Sequence, residues 1–234
     1  MTVCIAAIAD GGASVVLCAD QLTTSNLFSW GIESNDPLKK IHYIGDNSVI
    51  MAAGNLNVAE EIIRLVRAWC ANPEWRVSFG EKVRAAYENV RLEKAQAAFL
   101  SPRGLTFASY IENSAKLNPL LIHVIDNDLM SFNLGVDLIA AESREGRSML
   151  WLINNPGVSM ESSEELCIGD GAGHALYAMI ELKYRAETRA DEVEKIVREA
   201  KKRSENTRSV GPATSVCYLP RRAEPTNASE AAPT

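Results

Sequence analysis

Two short apolar runs, Val3–Ala9 and Ser14–Ala19, flank the turn Asp10-Gly11-Gly12-Ala13 at the head of the chain. Apolar runs joined through Asp-Gly-Gly predict a β-hairpin, and the lack of polar alternation predicts strands covered on both faces. A first strand starting at the second residue leaves no room for a signal peptide or a disordered leader. It also sets a hydroxyl one excision step from an α-amine. Thr2 is small enough for the initiator Met to be removed, which would leave a nucleophile and a base on one residue.

The rest of the chain alternates strand runs with helix pairs. Gln21–Pro37 is polar and bears Gly, Ser and Asn, so it reads as a loop beside Asp20. Lys39–Gly45 and Ser48–Gly54, joined at Asp46-Asn47, read as a second hairpin. Asn57 is the expected N-cap of a helix over Val58–Ala71, with Ile62, Leu65, Val66 and Trp69 on one face and Asn72-Pro73 as its stop. A second helix is expected from Ser78 or Phe79 to Phe99, with Val83, Ala86, Val90, Leu92 and Ala97 as its apolar positions, ended by Ser101–Gly104.

Between Leu105 and Phe132 the pattern is least regular: Thr106–Ile111 suggests a helical turn, and Leu120–Ile125 suits strand or helix. Phe132–Ala141 and Ser148–Ile153 read as a strand pair, Asn154–Gly157 as a turn, and Glu164–Ile168 as a short strand. Helices over His174–Tyr184 and Ala190–Ser204 follow, the latter rich in Glu and Lys at helical pair spacing. Ala213–Leu219 closes the domain as a strand, and Pro220–Thr234 has the composition of a disordered tail. Strand runs alternating with helix pairs predict an α+β fold, a four-layer αββα sandwich of two antiparallel sheets between helix layers, over residues 1–219.

Charge and cysteine content narrow the function classes. A net charge of −6, with no basic stripe, speaks against a nucleic-acid binder. No apolar run approaches the ~18 residues that span a bilayer. The cysteines Cys4, Cys18, Cys70, Cys167 and Cys217 are scattered, odd in number and without metal-ligand spacing. They read as small buried hydrophobes in a reducing cytoplasm. His42, His123 and His174 lack the spaced partners of a metal site and read as structural, so no metal and no cofactor is expected.

In this order the chain resembles the proteasome β-subunit family of the N-terminal-nucleophile hydrolases, over most of Thr2–Leu219. Thr2 opens the first strand, and Val16-Leu-Cys-Ala-Asp20 is similar to the family's strand ending in Ala-Asp. Leu38-Lys-Lys40-Ile is similar to the segment carrying the active-site lysine. Met51-Ala-Ala-Gly54 ends fourteen residues beyond Lys40, where the family places its oxyanion-hole glycine. Ile168-Gly-Asp-Gly171 resembles Ile-Gly-Ser-Gly, and Asn206-Thr-Arg-Ser209-Val-Gly211 resembles Asp-x-x-Ser-Gly-Gly.

The resemblance implies a cytoplasmic threonine peptidase assembled as a ring of identical subunits, acting on peptides or proteins, with an ATP-driven unfoldase as a partner. It assigns the nucleophile to Thr2, the amine-tuning cation to Lys40, its orienting carboxylate to Asp20 and the oxyanion donor to Gly54. An unactivated threonine hydroxyl is a poor nucleophile, which is why such a constellation is needed. Asp170 and Ser209 would lie near the terminal amine.

The sequence departs from the family at Asp170, which replaces a serine, and at Asn206, which replaces an aspartate; one glycine after Ser209 is also missing. Asp170 suits either a site role or an N-cap for the next helix. An acid gained at Asp170 and one lost at Asn206 would conserve the site's charge. Position relative to Lys40 places Leu38, His42, Ala52 and Leu56 around a specificity pocket, with ordinary core packing as the other reading of Leu38, Ala52 and Leu56. The altered Asp170, Asn206 and Ser209 set also fits a catalytically silent ring subunit. The same chemistry fits a narrow-specificity amidase or transpeptidase.

Overall fold

Six consecutive residues of the first strand, β1 (Cys4–Ala9), are buried, as are all seven of β2 (Ser14–Asp20). Their hairpin register pairs Cys4 with Ala19 and Ala9 with Ser14. Three of the six residues of β1 are alanine and one is cysteine, and such small side chains let a sheet be covered closely on both sides. The computed structural model describes residues 2–27, 30–35, 40–72 and 74–220. The expected tail lies outside them beyond Pro220, and Leu38 and Pro73 lie outside them as well.

β1 and β2 are the inner strands of a four-stranded antiparallel sheet. Its edges are β10 (Glu165–Ile168) beside β1 and β11 (Thr214–Leu219) beside β2. The second sheet runs in sequence order through β5 (Ile41–Gly45), β6 (Ser48–Gly54), β7 (Val136–Arg144), β8 (Arg147–Asn154) and β9 (Val158–Ser162), all antiparallel. Cys4, Ala6, Ile8 and Leu17 of the first sheet meet Met51, Ala53, Ile139 and Leu150 of the second in one buried cluster.

The helices cover the outer faces. Val58, Ile62 and Val66 of α1 (Leu56–Cys70) and Val83, Tyr87 and Val90 of α2 (Phe79–Ala95) pack on Ile50, Leu138 and Trp151. Ala175 and Met179 of α5 (Ala172–Glu181) and Val193 and Val197 of α6 (Ala190–Ser204) pack on Val3, Ile5, Val16 and Cys18. The order of layers is helix, sheet, sheet, helix, as the strand and helix alternation predicts.

Several local expectations need correction. Residues 21–37 are not a loop throughout: Leu22–Leu27 (β3) and Trp30–Asn35 (β4) form a separate two-stranded hairpin. Its Thr- and Ser-bearing strands join neither main sheet, so no apolar face marked them. β9 also went unseen, because Val158 and Met160 on this edge strand are exposed.

The N-cap of α1 is Asn55, whose side chain accepts from Val58 N–H at 3.4 Å; Asn57 lies within the helix. The backbone leaves β6 through Gly54 at φ +95° and turns at once into α1, which selects the earlier asparagine. Leu92 is 52% exposed and Ala97 is exposed too, so neither belongs to the apolar face of the second helix. That face is carried instead by Phe79, Val83, Ala86, Tyr87 and Val90.

Over 105–132 the chain is helical: α3 (Phe107–Asn113), capped by Thr106, and α4 (Pro119–Ser131), capped by Asn118. Leu100, Tyr110 and Ile125 form their own small core there. Asp10, at the tip of the first hairpin, caps α6 from a distance by accepting Ala190 N–H at 3.0 Å.

Glu165 gives a stability prediction. Burial, aided by neighbouring Glu164, raises its carboxyl pKa above the ordinary value, and its Oε2 is buried with no hydrogen-bond partner among the described residues. The native state therefore holds this proton more tightly than the unfolded chain, so stability declines as pH rises from the ordinary carboxyl pKa through the raised one. Glu165→Gln is expected to raise the midpoint of thermal unfolding at pH 7 and to leave it unchanged below pH 4. An equal or lower midpoint at pH 7 would contradict this.

Candidate active site

The site lies where β1 begins, β2 ends, β5 begins and β6 ends, so four strand termini from two sheets converge. Cys4 Sγ donates across the gap to Ala52 O at 3.6 Å. Asp20 forms the centre: its Oδ1 accepts from Thr2 Oγ1 at 2.5 Å, Val3 N–H at 2.9 Å and Lys40 Nζ at 2.9 Å. Its Oδ2 accepts from the N–H of Leu22 at 3.2 Å and of Gly211 at 3.3 Å. Lys40 Nζ also donates to Leu22 O at 2.6 Å.

Thr2 and Asp20 are each 1% exposed and Lys40 is 3% exposed, so this ion pair is removed from water. A buried pair persists only when its remaining donors and acceptors are satisfied, and here backbone groups of Val3, Leu22 and Gly211 do so.

The backbone around Thr2 is equally close. Thr2 O accepts Gly171 N–H at 3.2 Å, and a Cβ on Gly169 (φ +90°) would stand 2.3 Å from Thr2 O. Only glycine permits that approach, at a φ that other residues rarely adopt. Gly54 is a second such position: a Cβ there would stand 2.2 Å from Gly135 O. Ala52 N–H donates to Lys40 O at 3.0 Å, so two residues on, the alternation of the strand turns Gly54 N–H toward the same edge. There β6 has no β5 residue opposite it, since β5 begins at Ile41, just after Lys40.

Other candidate residues are more loosely associated. Asp170, between Gly169 and Gly171, is exposed, and its side chain has no hydrogen bond or ion pair among the described residues. It does not cap α5, whose N-cap is Gly171 with no capping side chain. Ser209 is 8% exposed and Asn206 is exposed, and neither side chain bonds a described residue. The 206–211 segment instead reaches Asp20 through Gly211 N–H.

Ala52 is wholly buried in the core against α1 and α2, and Leu56 packs against that same core. His42 is half-buried opposite Ile50, on the face that turns toward the helices. Leu38 lies outside the described residues. Cys4 is the nearest rival nucleophile, but burial pushes its thiol up to about 12, against a smaller downward pull from Lys40. It is therefore held as the unreactive thiol near neutral pH. Among the described residues no helix is long and apolar enough to cross a membrane, and no cluster of His, Cys, Asp and Glu could hold a metal ion.

No protein-family model matches the chain, and no curated protein matches it in sequence. Solved structures do. Anbu, an ancestral β-subunit from Yersinia bercovieri, superposes with a TM-score of 0.65 at 15% identity, over 93% of this chain and 81% of its own. Eukaryotic HslV from Trypanosoma brucei superposes with a TM-score of 0.56 at 17% identity, over 93% of this chain and 98% of its own. Two antiparallel sheets between helix layers, with this likeness along nearly all of the chain, give the protein a proteasome-like β-subunit fold.

Proposed function

We propose that the chain is a threonine-type hydrolase of amide bonds, with Thr2 as its N-terminal nucleophile once Met1 has been removed. One observation carries the reading: the buried chain of contacts from Thr2 Oγ1 to Asp20 Oδ1 to Lys40 Nζ, at 2.5 and 2.9 Å. Asp20 holds the hydroxyl and the ammonium on one oxygen before substrate arrives. The α-amine of Thr2, through a water, takes the hydroxyl proton as Oγ1 attacks the substrate carbonyl. The Lys40 ammonium favours the neutral amine and the developing alkoxide. Gly54 N–H receives the oxyanion, a contribution of ~3–4 kcal/mol. As the C–N bond breaks, the leaving amine takes up the proton held by the α-ammonium, and water then hydrolyses the acyl ester on Thr2.

A ring of identical subunits in the cytoplasm belongs to the same proposal and is supported by the likeness to a protein described as an ancestral β-subunit. The substrate would be a peptide or protein, delivered by an ATP-dependent unfoldase. The catalytic set includes Asp170, Ser209 and Asn206, with the charge at Asp170 standing in for the aspartate that Asn206 replaces. Leu38 and His42 would shape the specificity pocket, whereas Ala52 and Leu56, packed in the core against α1 and α2, could act on it only from behind. A second reading, a silent ring subunit, is favoured because the side chains of Asp170 and Ser209 have no partner among the described residues. A narrow-specificity amidase or transpeptidase would use the same acyl ester with a different acceptor.

Intact-mass measurement separates these readings. The expected result is a chain lacking Met1 that gains one peptide-epoxyketone adduct, because that warhead requires both the hydroxyl and the free amine of one residue. A chain that retains Met1, or a processed chain that never forms the adduct, would overturn the threonine mechanism.

A further inference from the structure

Two buried polar side chains on α6 take no part in the chemistry above. Lys201 is 1% exposed and Ser204 is 0% exposed, and at this spacing they share one face of the helix. The Lys201 ammonium donates to Gly211 O at 2.6 Å, Pro212 O at 2.8 Å and Glu205 Oε1 at 2.8 Å, which uses all of its protons. The Ser204 hydroxyl is 3.1 Å from Gly171 O and 3.0 Å from Ala200 O.

The carbonyls reached by these side chains belong to the two segments that touch the reacting groups. Gly211 N–H donates to Asp20 Oδ2 at 3.3 Å, and Gly171 N–H donates to Thr2 O at 3.2 Å. Gly211 and Pro212 lie in no regular element, whereas Gly171 is the N-cap of α5 and its carbonyl also accepts Ala175 N–H at 3.1 Å, so the lysine's grip matters most at Gly211. Burying an ammonium is costly unless its partners are well placed, and a Met or Leu would fill the same volume. What lysine adds is a grip on consecutive carbonyls. Gly211 has little freedom to shift, since even a Cβ on it would stand 2.6 Å from Leu22 Cβ.

We propose that Lys201, seconded by Ser204, is a positioning residue of the Thr2 site. It clamps the Gly211 and Pro212 carbonyls so that Gly211 N–H stays on Asp20, and Asp20 so held keeps the Thr2 hydroxyl and Lys40 in register. The inference rests on the hydrolase reading.

The test compares the full-length protein with Lys201→Met and Ser204→Ala, measuring kcat and KM on a fluorogenic peptide and amide hydrogen exchange across 169–172 and 209–213. Lys201→Met is expected to lower kcat at least ~10-fold with KM within about twofold, because small displacements of a reacting group are amplified in the rate. Exchange across 209–213 should rise in parallel. Ser204→Ala is expected to lower kcat about threefold and to raise exchange across 169–172.

A folded Lys201→Met with kcat unchanged overturns the proposal, even if exchange rises, since the clamp would then serve stability alone. If Lys201→Met gives no cooperative melt, Glu205→Gln is judged by the same criterion. If the wild type neither hydrolyses the peptide nor takes the epoxyketone, the hydrolase reading fails. Unchanged exchange in the variants would then still overturn the clamp.

Discussion

Thr2→Ala is expected to form no epoxyketone adduct and to lose amide hydrolysis by roughly 10³-fold or more, while the protein still folds. The side chain removed is one of five donors on Asp20, and Lys40 with the N–H groups of Val3, Leu22 and Gly211 remain. The stability cost should therefore be that of one hydrogen bond to a charged group, about 1.5–3 kcal/mol. Thr2→Ser keeps both hydroxyl and amine and should retain part of the activity. Intact mass after inhibitor treatment and a thermal melt read both outcomes. Adduct formation by Thr2→Ala would transfer the nucleophile elsewhere, and Cys4 would be the next residue to replace.

Lys40→Met is expected to cost about 3–5 kcal/mol of stability in addition to abolishing activity, because it leaves Asp20 charged and buried without its counter-ion. Both side chains of the pair are within 3% of full burial, so solvent offers little screening. The double variant Lys40→Met with Asp20→Asn removes both charges and should recover much of the stability while remaining inactive. Denaturant unfolding supplies the stability and inhibitor labelling the activity. Lys40→Met with wild-type stability would mean that the pair is solvated in solution. Lys40→Met with wild-type labelling would remove lysine from the mechanism.

Much of the fold was legible because its elements carry strong patterns. The unbroken apolar runs of β1 and β2 can only be strands covered twice, and α6 shows its apolar face at Val193, Val197 and Ala200. β3 and β4, with the sequences Leu-Thr-Thr-Ser-Asn-Leu and Trp-Gly-Ile-Glu-Ser-Asn, carry no apolar alternation, and β9 exposes Val158 and Met160. Thr2, Asp20 and Lys40, which the family resemblance singles out, are brought into contact by the structure.

The groups that hold these three in place were harder to see, for a physical reason. Leu22 and Gly211 act through backbone N–H and C=O groups, which every residue type possesses. Gly211 could have been suspected, because it stands in the Ser209-Val-Gly motif. Lys201 was hidden differently: its neighbours Lys202 and Arg203 are a usual helix surface, and only burial distinguishes it from them. The cap on Asp10 is similar, joining a hairpin tip to a helix 180 residues later through a contact that no local pattern announces.

The inner position of β1 has a consequence for how the protein would fail when heated. β1 is flanked by β2 and β10 and lies between two cores, so Thr2 leads into a strand with no free edge. Local fraying starts at exposed ends and edge strands, whereas an enclosed inner strand opens only with the whole domain. Thr2 would therefore stay seated until the domain unfolds, and heat would loosen the Asp20 contacts first from Lys40, which precedes the edge strand β5.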